Sequence, residues 1–256
     1  DSVAVVKSGS ILKLHVHTKA PYKVLELCQQ FGEFLKVKIE NMSLQHNTVI
    51  ADGAEEKHER RDIAVVVAAC GEGIKQTFLE CGADLIVEGG QSMNPSSEDF
   101  IKAFGAVNAD TVFVFPNNSN VILAARQAAA MYKDSDVRVI ESKTVGDGYA
   151  ALSMMDISSG NADEIEKQLY DNMQGIVTAE VARCIRDAEM DGVELHNGQY
   201  IGYVGKKLLS AADDRFDAAA ALADGLELDA HALCLVFRGQ ESTQDEAERL
   251  KKYIEG

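Results

Sequence analysis

The chain contains no apolar stretch approaching the roughly 20 residues of a membrane span. It also has little positive charge. Lys and Arg number 25 against 41 Asp and Glu, a net charge of −16. A balance this acidic cannot neutralise phosphates on a large scale, which argues against general nucleic-acid binding, and it disfavours attraction to an anionic membrane surface. The five cysteines (Cys28, Cys70, Cys81, Cys184, Cys234) are scattered, odd in number and form no CxxC pair. They are expected to be reduced, mostly buried thiols of a cytoplasmic protein. No signal peptide is visible. The start at Asp1-Ser2 without an initiator Met leads us to expect a fragment or a processed chain. Nucleotide signatures are thin as well: Gly71-Glu72-Gly73 lacks the third glycine of a GxGxxG fingerprint, because position 76 is Gln, and there is no Walker motif. No Ser-His-Asp or Cys-His set follows from spacing, and no glycine-flanked nucleophile elbow occurs. Repeats and low-complexity segments are absent.

What is present is a chain of 256 residues, 46% hydrophobic and 26% charged, a globular composition long enough for about two domains. Residues 2–7 and Ile11–His17 alternate as a hairpin around Gly9. Pro21 suits the first turn of a helix whose apolar face is Val24, Leu25, Leu27, Cys28, Phe31 and Phe34–Leu35. Val37 and Ile39 then make a third strand. This small ββαβ unit is expected over residues 1–44. A polar, His-rich linker is expected over 45–61. From Ile63 short β-branched runs (Ile63–Ala69, Leu85–Val87, Val112–Phe115, Val137–Ile140) alternate with helical patterns at 73–81, 96–107, 119–132, 145–156 and 162–175. That alternation means βαβ units and a parallel sheet. Residues 176–256 read as a mixed half: strands around the turn dipeptides Asp191-Gly192 and Asn197-Gly198, a helix at 213–225, a strand at Leu233–Phe237 and a charged helix at 243–254 with a solvated face. The expected fold class is α/β, a parallel half over 62–175 followed by the mixed half.

Four strand-to-helix junctions of the parallel half carry small polar residues. They are Cys70-Gly71-Glu72-Gly73, Glu88-Gly89-Gly90-Gln91-Ser92-Met93-Asn94-Pro95-Ser96, Phe115-Pro116-Asn117-Asn118-Ser119-Asn120 and Glu141-Ser142-Lys143-Thr144-Val145-Gly146. Ligands of open α/β sheets bind at the carboxyl ends of the strands, where helix N-termini offer N–H groups to anions. The candidate ligand- or partner-binding residues are therefore Gly71, Glu72, Gly73, Gly89, Gly90, Gln91, Ser92, Asn94, Ser96, Asn117, Asn118, Lys143 and Thr144. Ser96, with Asp99 three residues on, also reads simply as an N-cap, and Asn117-Asn118-Ser119 as a cap with a polar loop. Capping does not account for Gly89-Gly90-Gln91. His15-Val16-His17 sets two imidazoles on one strand face, about 7 Å apart. Such a pair is a candidate zinc site or a pair of solvated histidines. Cys28 and His46 stay open as further ligands.

At these motifs the chain resembles the C-terminal two-thirds of the bacterial fatty acid kinase ATP-binding subunit, of the dihydroxyacetone-kinase-like fusion family. The matching stretches are Leu14–Thr18, Lys38–Met42 with Gln45-His46, Gly71–Ile74, Glu88–Ser96, Pro116–Asn120, Lys143-Thr144, Ala182–Asp187 and Gly198–Gly202. The Gly-Gly-Gln-x-Met-Asn-Pro-Ser string is the most specific. The resemblance implies a middle domain whose His-x-His pair, here His15 and His17, takes part in zinc binding, and a C-terminal domain similar to DegV-type fatty-acid-binding proteins. ATP and magnesium would bind only in a kinase domain N-terminal to everything seen here, so this chain should not transfer phosphoryl groups alone. A family cysteine that completes the zinc site lies upstream of residue 1, and the family usually runs on beyond Ile254 into a further strand. The partners implied are an acyl-loaded DegV-type protein and a second copy in a homodimer. The leading expectation is docking of the acyl-loaded protein for acyl-phosphate formation. The alternatives are a fatty-acid carrier, with the carboxylate at Ser92, Asn94 and Thr144, and a dihydroxyacetone-kinase-related protein.

Overall fold

The computed structural model describes residues 3–8, 11–16, 18–35, 37, 39, 60–89, 94–231, 233–239 and 241–256. The chain divides into two compact units, Asp1–Gln174 and Gly175–Gly256.

In the first unit β1 (Val3–Ser8) and β2 (Ile11–Val16) form an antiparallel hairpin, with Val5 opposite Leu14 and Lys7 opposite Leu12. Helix α1 (Pro21–Cys28) opens with proline in its first turn, where the missing N–H costs nothing. It ends at Cys28, two turns short of the expected apolar face, and Phe31, Phe34 and Leu35 lie beyond it, exposed. Val37 and Ile39, expected in a third strand, have no regular secondary structure. The expected linker falls outside the described residues except for Arg60 and Arg61, and Arg61 already belongs to β3.

The parallel sheet follows the expected alternation. Strands β3 (Arg61–Ala69), β4 (Leu85–Glu88), β5 (Ala109–Phe115) and β6 (Asp136–Val139) pair in the order β4-β3-β5-β6, all parallel. Helices α2 (Glu72–Glu80), α3 (Ser97–Val107), α4 (Ile122–Met131), α5 (Val145–Ser153) and α6 (Ala162–Met173) cover it. Side chains alternate across a strand, and β3 sends Ala64, Val66 and Ala68 to one face and Val65, Val67 and Ala69 to the other. The first face packs on Phe100 and Phe104 of α3 and Ala125 and Ala128 of α4. The second packs on Phe78 of α2, Leu152 of α5 and Ile165 and Leu169 of α6. Burial on both sides explains why these strands read as continuous apolar runs.

In the second unit β7 (Ala179–Arg183), β10 (Tyr200–Val204) and β11 (Lys207–Ala212) form an antiparallel sheet in the order β11-β10-β7. A separate ribbon joins β8 (Ala188–Met190) to β9 (Val193–Leu195) through Asp191-Gly192, both at positive φ, as a tight hairpin turn requires. Helix α7 (Arg215–Asp224) lies close on β10: a Cβ on Gly202 would come 2.8 Å from that of Leu222. Helix α8 (Gln244–Ile254) stacks on α7 through Tyr253 edge-on to Phe216 and the Arg249 guanidinium 3.6 Å from the Phe216 ring centre. The expected strand at Leu233–Phe237 does not form. The segment is irregular, and Leu233, Leu235, Val236 and Phe237 are exposed. A strand exists only through a paired neighbour, and local alternation cannot supply one.

Candidate functional site

The strand order reverses direction between β3 and β5, so the crevice of this sheet lies at their carboxyl ends. Two of the four junctions meet there, and a third buttresses them. Pro116 and Asn117 follow β5 and are buried. Asn117 is 7% exposed and takes the left-handed backbone, φ 53°, a region asparagine tolerates better than most residues. Its Nδ2 donates to the carbonyl of Ala68 in β3 (3.2 Å), and its backbone N–H donates to Oγ of Ser142 (3.0 Å), which is fully buried beyond β6. Its Oδ1 is buried without a hydrogen-bond partner and lies against Gly148 of α5; a Cβ at Gly148 would also come within 2.7 Å of Asn117 Cγ. One asparagine thus ties β5, β3 and the β6 junction together.

The N-termini of α3 and α5 are already supplied with carboxylates. Ser96 caps α3 by accepting from the N–H of Asp99 (3.3 Å). Asp99 Oδ2 in turn accepts from the N–H (2.8 Å) and Oγ (2.7 Å) of Ser96. These bonds hold the Asp99 carboxyl below its ordinary range. Thr144 caps α5 by the same reciprocal arrangement: Asp147 donates its N–H to Thr144 Oγ1 (3.1 Å) and accepts from the N–H groups of Lys143 (2.9 Å) and Thr144 (3.1 Å). At α2, Gly71 takes φ 84° as the N-cap with no side-chain cap, and Glu72 stands in the first turn. Lys75 donates to Glu72 (3.0 Å) and to Glu88 at the end of β4 (2.6 Å). The bond to Glu88 and then that to Glu72 raise its ammonium above the usual lysine value. Beside β6, Glu141 pairs with Arg126.

The other expected residues are more dispersed. The carbonyl of Gly73 accepts from Thr77 Oγ1 (2.8 Å) inside α2. Gly89 donates its N–H to Ala69 (3.2 Å) and faces the Pro95 ring, 2.5 Å from where a Cβ would stand. Asn94 and Lys143 are exposed. Asn118 does not cap α4, which begins at Ile122 behind Val121; its Oδ1 accepts from Asn120 within the preceding turn (2.9 Å). Gly90, Gln91 and Ser92 lie outside the described residues, as do His17 and the side chain of His15. Among the described residues no three His, Cys, Asp or Glu come together in a metal-sized group. Burial pushes the Cys81 thiol up to about 12, so it is no nucleophile near neutral pH. Sequence reasoning missed Ser142 as a partner, Lys75 and Gly148. The Thr144–Asp147 spacing was the one legible signal among the missed contacts, being that of a capping box.

Comparison with known proteins places this geometry in a family. Residues 63–256 match the C-terminal domain of the FakA-like fatty acid kinase subunits, and residues 1–49 match the middle domain of the same FakA-like subunits. The chain is 35% identical to Protein YloV of Bacillus subtilis, with 99% of the chain and 46% of that protein aligned. It is 33% identical to the uncharacterized protein SAR1202 of Staphylococcus aureus, with 100% of the chain and 47% of that protein aligned. The chain spans about half the length of the curated relatives it matches. Among the described residues no helix is long and apolar enough to cross a membrane.

Proposed function

Because the chain belongs to the FakA-like family of fatty acid kinase subunits, we propose that it is the part of such a subunit that docks an acyl-loaded DegV-type protein. The fatty acid carboxylate would then meet ATP and magnesium held by a separate domain of the whole subunit. A carboxylate oxygen attacks the γ-phosphorus, ADP leaves, and an acyl phosphate results. Positioning is the main demand of such a transfer, since the protein has little covalent chemistry to perform. In the whole subunit His15 and His17 would help hold a zinc ion that organises the active site, and the whole protein would work as a homodimer.

The observation that supports docking over lipid carriage is that Asn117, which follows β5 where the strand order reverses, is buried and bonded within the protein to Ala68 and Ser142. Asp99 and Asp147 already take N–H groups at the start of α3 and α5. A fatty acid head group is an anion, and placing it beside these carboxylates would cost like-charge repulsion. Asn94 and Lys143 are left exposed.

Native mass spectrometry of the purified chain tests the reading, followed by titration with a DegV-type protein loaded with palmitate. A chain without bound acid that forms a complex with the loaded protein is the expected result. A mass excess matching a fatty acid and lost on denaturation would instead make this a carrier. Failure to bind the loaded protein, or acyl-phosphate formation by the chain alone, would also overturn the reading.

A further inference from the structure

The turn that leads into β10 contains Asn197-Gly198, the single Asn-Gly pair in the sequence. Asparagine is a thermolabile residue: the backbone nitrogen of the residue after it can attack its side-chain carbonyl. Glycine has no Cβ to crowd that attack. Every other asparagine in the chain is followed by a residue that carries a side chain.

The fold requires this glycine. His196–Gln199 is a β-turn closed by the Gln199 N–H on the His196 carbonyl (3.1 Å), and Gly198 is its third residue, at φ 97°. A type II turn demands that left-handed backbone there. Gly198 and Gln199 together face Cys184, next to the Arg183–Tyr200 pair that joins β7 to β10. The Gly198 N–H donates to the Cys184 carbonyl (2.8 Å), and the Cys184 N–H donates to the Gln199 carbonyl (2.7 Å). Two residues against one, led by a left-handed glycine, form a bulge.

The same bulge takes the reacting nitrogen out of use. The nitrogen attacks only after losing its proton, and that proton lies in the bond to Cys184. The turn is braced further: the Asn197 N–H donates to Asp187 Oδ1 (2.7 Å), and Gln199 Oε1 accepts from the His196 N–H (2.9 Å). Asn197 itself is exposed, so water reaches it.

We propose that Asn197-Gly198 is a deamidation site that the folded turn holds shut and that opening of this end of the β7–β10 pairing releases. On opening, the Gly198 nitrogen gives its proton to solvent and attacks Cγ of Asn197. The Cγ–Nδ2 bond breaks, Nδ2 takes up a proton and leaves as ammonia, and a succinimide remains. Water then opens the ring at either carbonyl, giving aspartate or isoaspartate. Isoaspartate routes the backbone through Cβ. The added carbon stands between two N–H groups that must reach Asp187 and Cys184 at a fixed separation. Both products also set a new carboxylate beside that of Asp187. The opening is therefore one-way, and Cys184, buried in the intact turn, loses its cover.

The test is incubation of the full chain at mildly alkaline pH, folded and in urea, followed by peptide mapping with mass spectrometry. In urea Asn197 is expected to be the first asparagine converted. Folding should slow it roughly tenfold or more, since only the opened fraction reacts. Asp187→Ala removes the acceptor for the Asn197 N–H and speeds conversion in the folded chain but not in urea. Asp187→Asn keeps an acceptor oxygen and stays near the unaltered rate. Cys184 reacts with a thiol reagent in the modified folded chain and is shielded in the unmodified one. Equal rates folded and in urea, or another asparagine converting first, would overturn the site. An unchanged rate in Asp187→Ala, or equal acceleration in both variants, would overturn the turn as its gate. A Cys184 still shielded after modification would overturn the one-way opening.

Discussion

Asn117 shows what a single side chain decides. Its polar surroundings in Pro116-Asn117-Asn118-Ser119 read as a ligand loop, whereas its backbone N–H and Nδ2 donate inside the protein, to Ser142 and Ala68, and its Oδ1 is buried against Gly148. The counterpart is Gly148. In a helix interior, Gly→Ala ordinarily stabilises by up to about 1 kcal/mol. Here the new Cβ would collide with the Asn117 amide, so Gly148→Ala is expected to destabilise by about 1–3 kcal/mol in urea unfolding. Combined with Asn117→Ala it should cost less than the two single changes together, because the collision is gone. A stabilising Gly148→Ala would mean that Asn117 does not press on α5 in this way. Nothing in the sequence marks Gly148, since the residue it must clear lies in another loop, far back along the chain.

At the scale of elements, helices were the most legible. Those expected at 73–81, 96–107, 145–156 and 162–175 occur as α2, α3, α5 and α6, trimmed by a few residues at their ends. Their signals are local: an apolar stripe, a cap and a first-turn acid. Ser96→Ala is expected to cost about 1 kcal/mol. The pH dependence has a definite sign. The Asp99 carboxyl is held below its ordinary value in the folded protein, so its contribution is present above the unfolded carboxylate range and is lost as pH falls through the depressed folded value. Asp99→Asn should therefore lower stability at neutral pH and close the gap to the unaltered protein as the solution is acidified. A gap that is constant with pH would show that the carboxylate charge is not what the cap uses. Leu233–Phe237 is the opposite case, a persuasive apolar run that remains irregular, because strand formation needs a neighbour that no local pattern can name.

For the whole molecule, charge is the property that acts everywhere at once. A net charge of −16 repels itself, and the Debye length falls from about 30 Å at 0.01 M salt to about 8 Å at 0.15 M. The thermal midpoint should therefore rise over that range. A fall would mean that ion pairs such as Arg138 with Asp136, Asp163 and Glu166 outweigh the overall repulsion. The sequence by itself determined the α/β class, the alternation that demands a parallel sheet, the exclusion of a long apolar span, and the placing of polar residues at four strand ends. Each follows from periodicity, composition or local backbone preference, which neighbours in the chain impose on one another. Only the tertiary structure decided that Asn117 joins β5 to Ala68 and Ser142, that Gly148 must stay bare beside it, and that Leu233–Phe237 finds no strand partner. Those outcomes depend on which distant residues are brought within hydrogen-bonding or van der Waals reach, and that is settled by the pairing of strands and the packing of helices rather than by any segment alone.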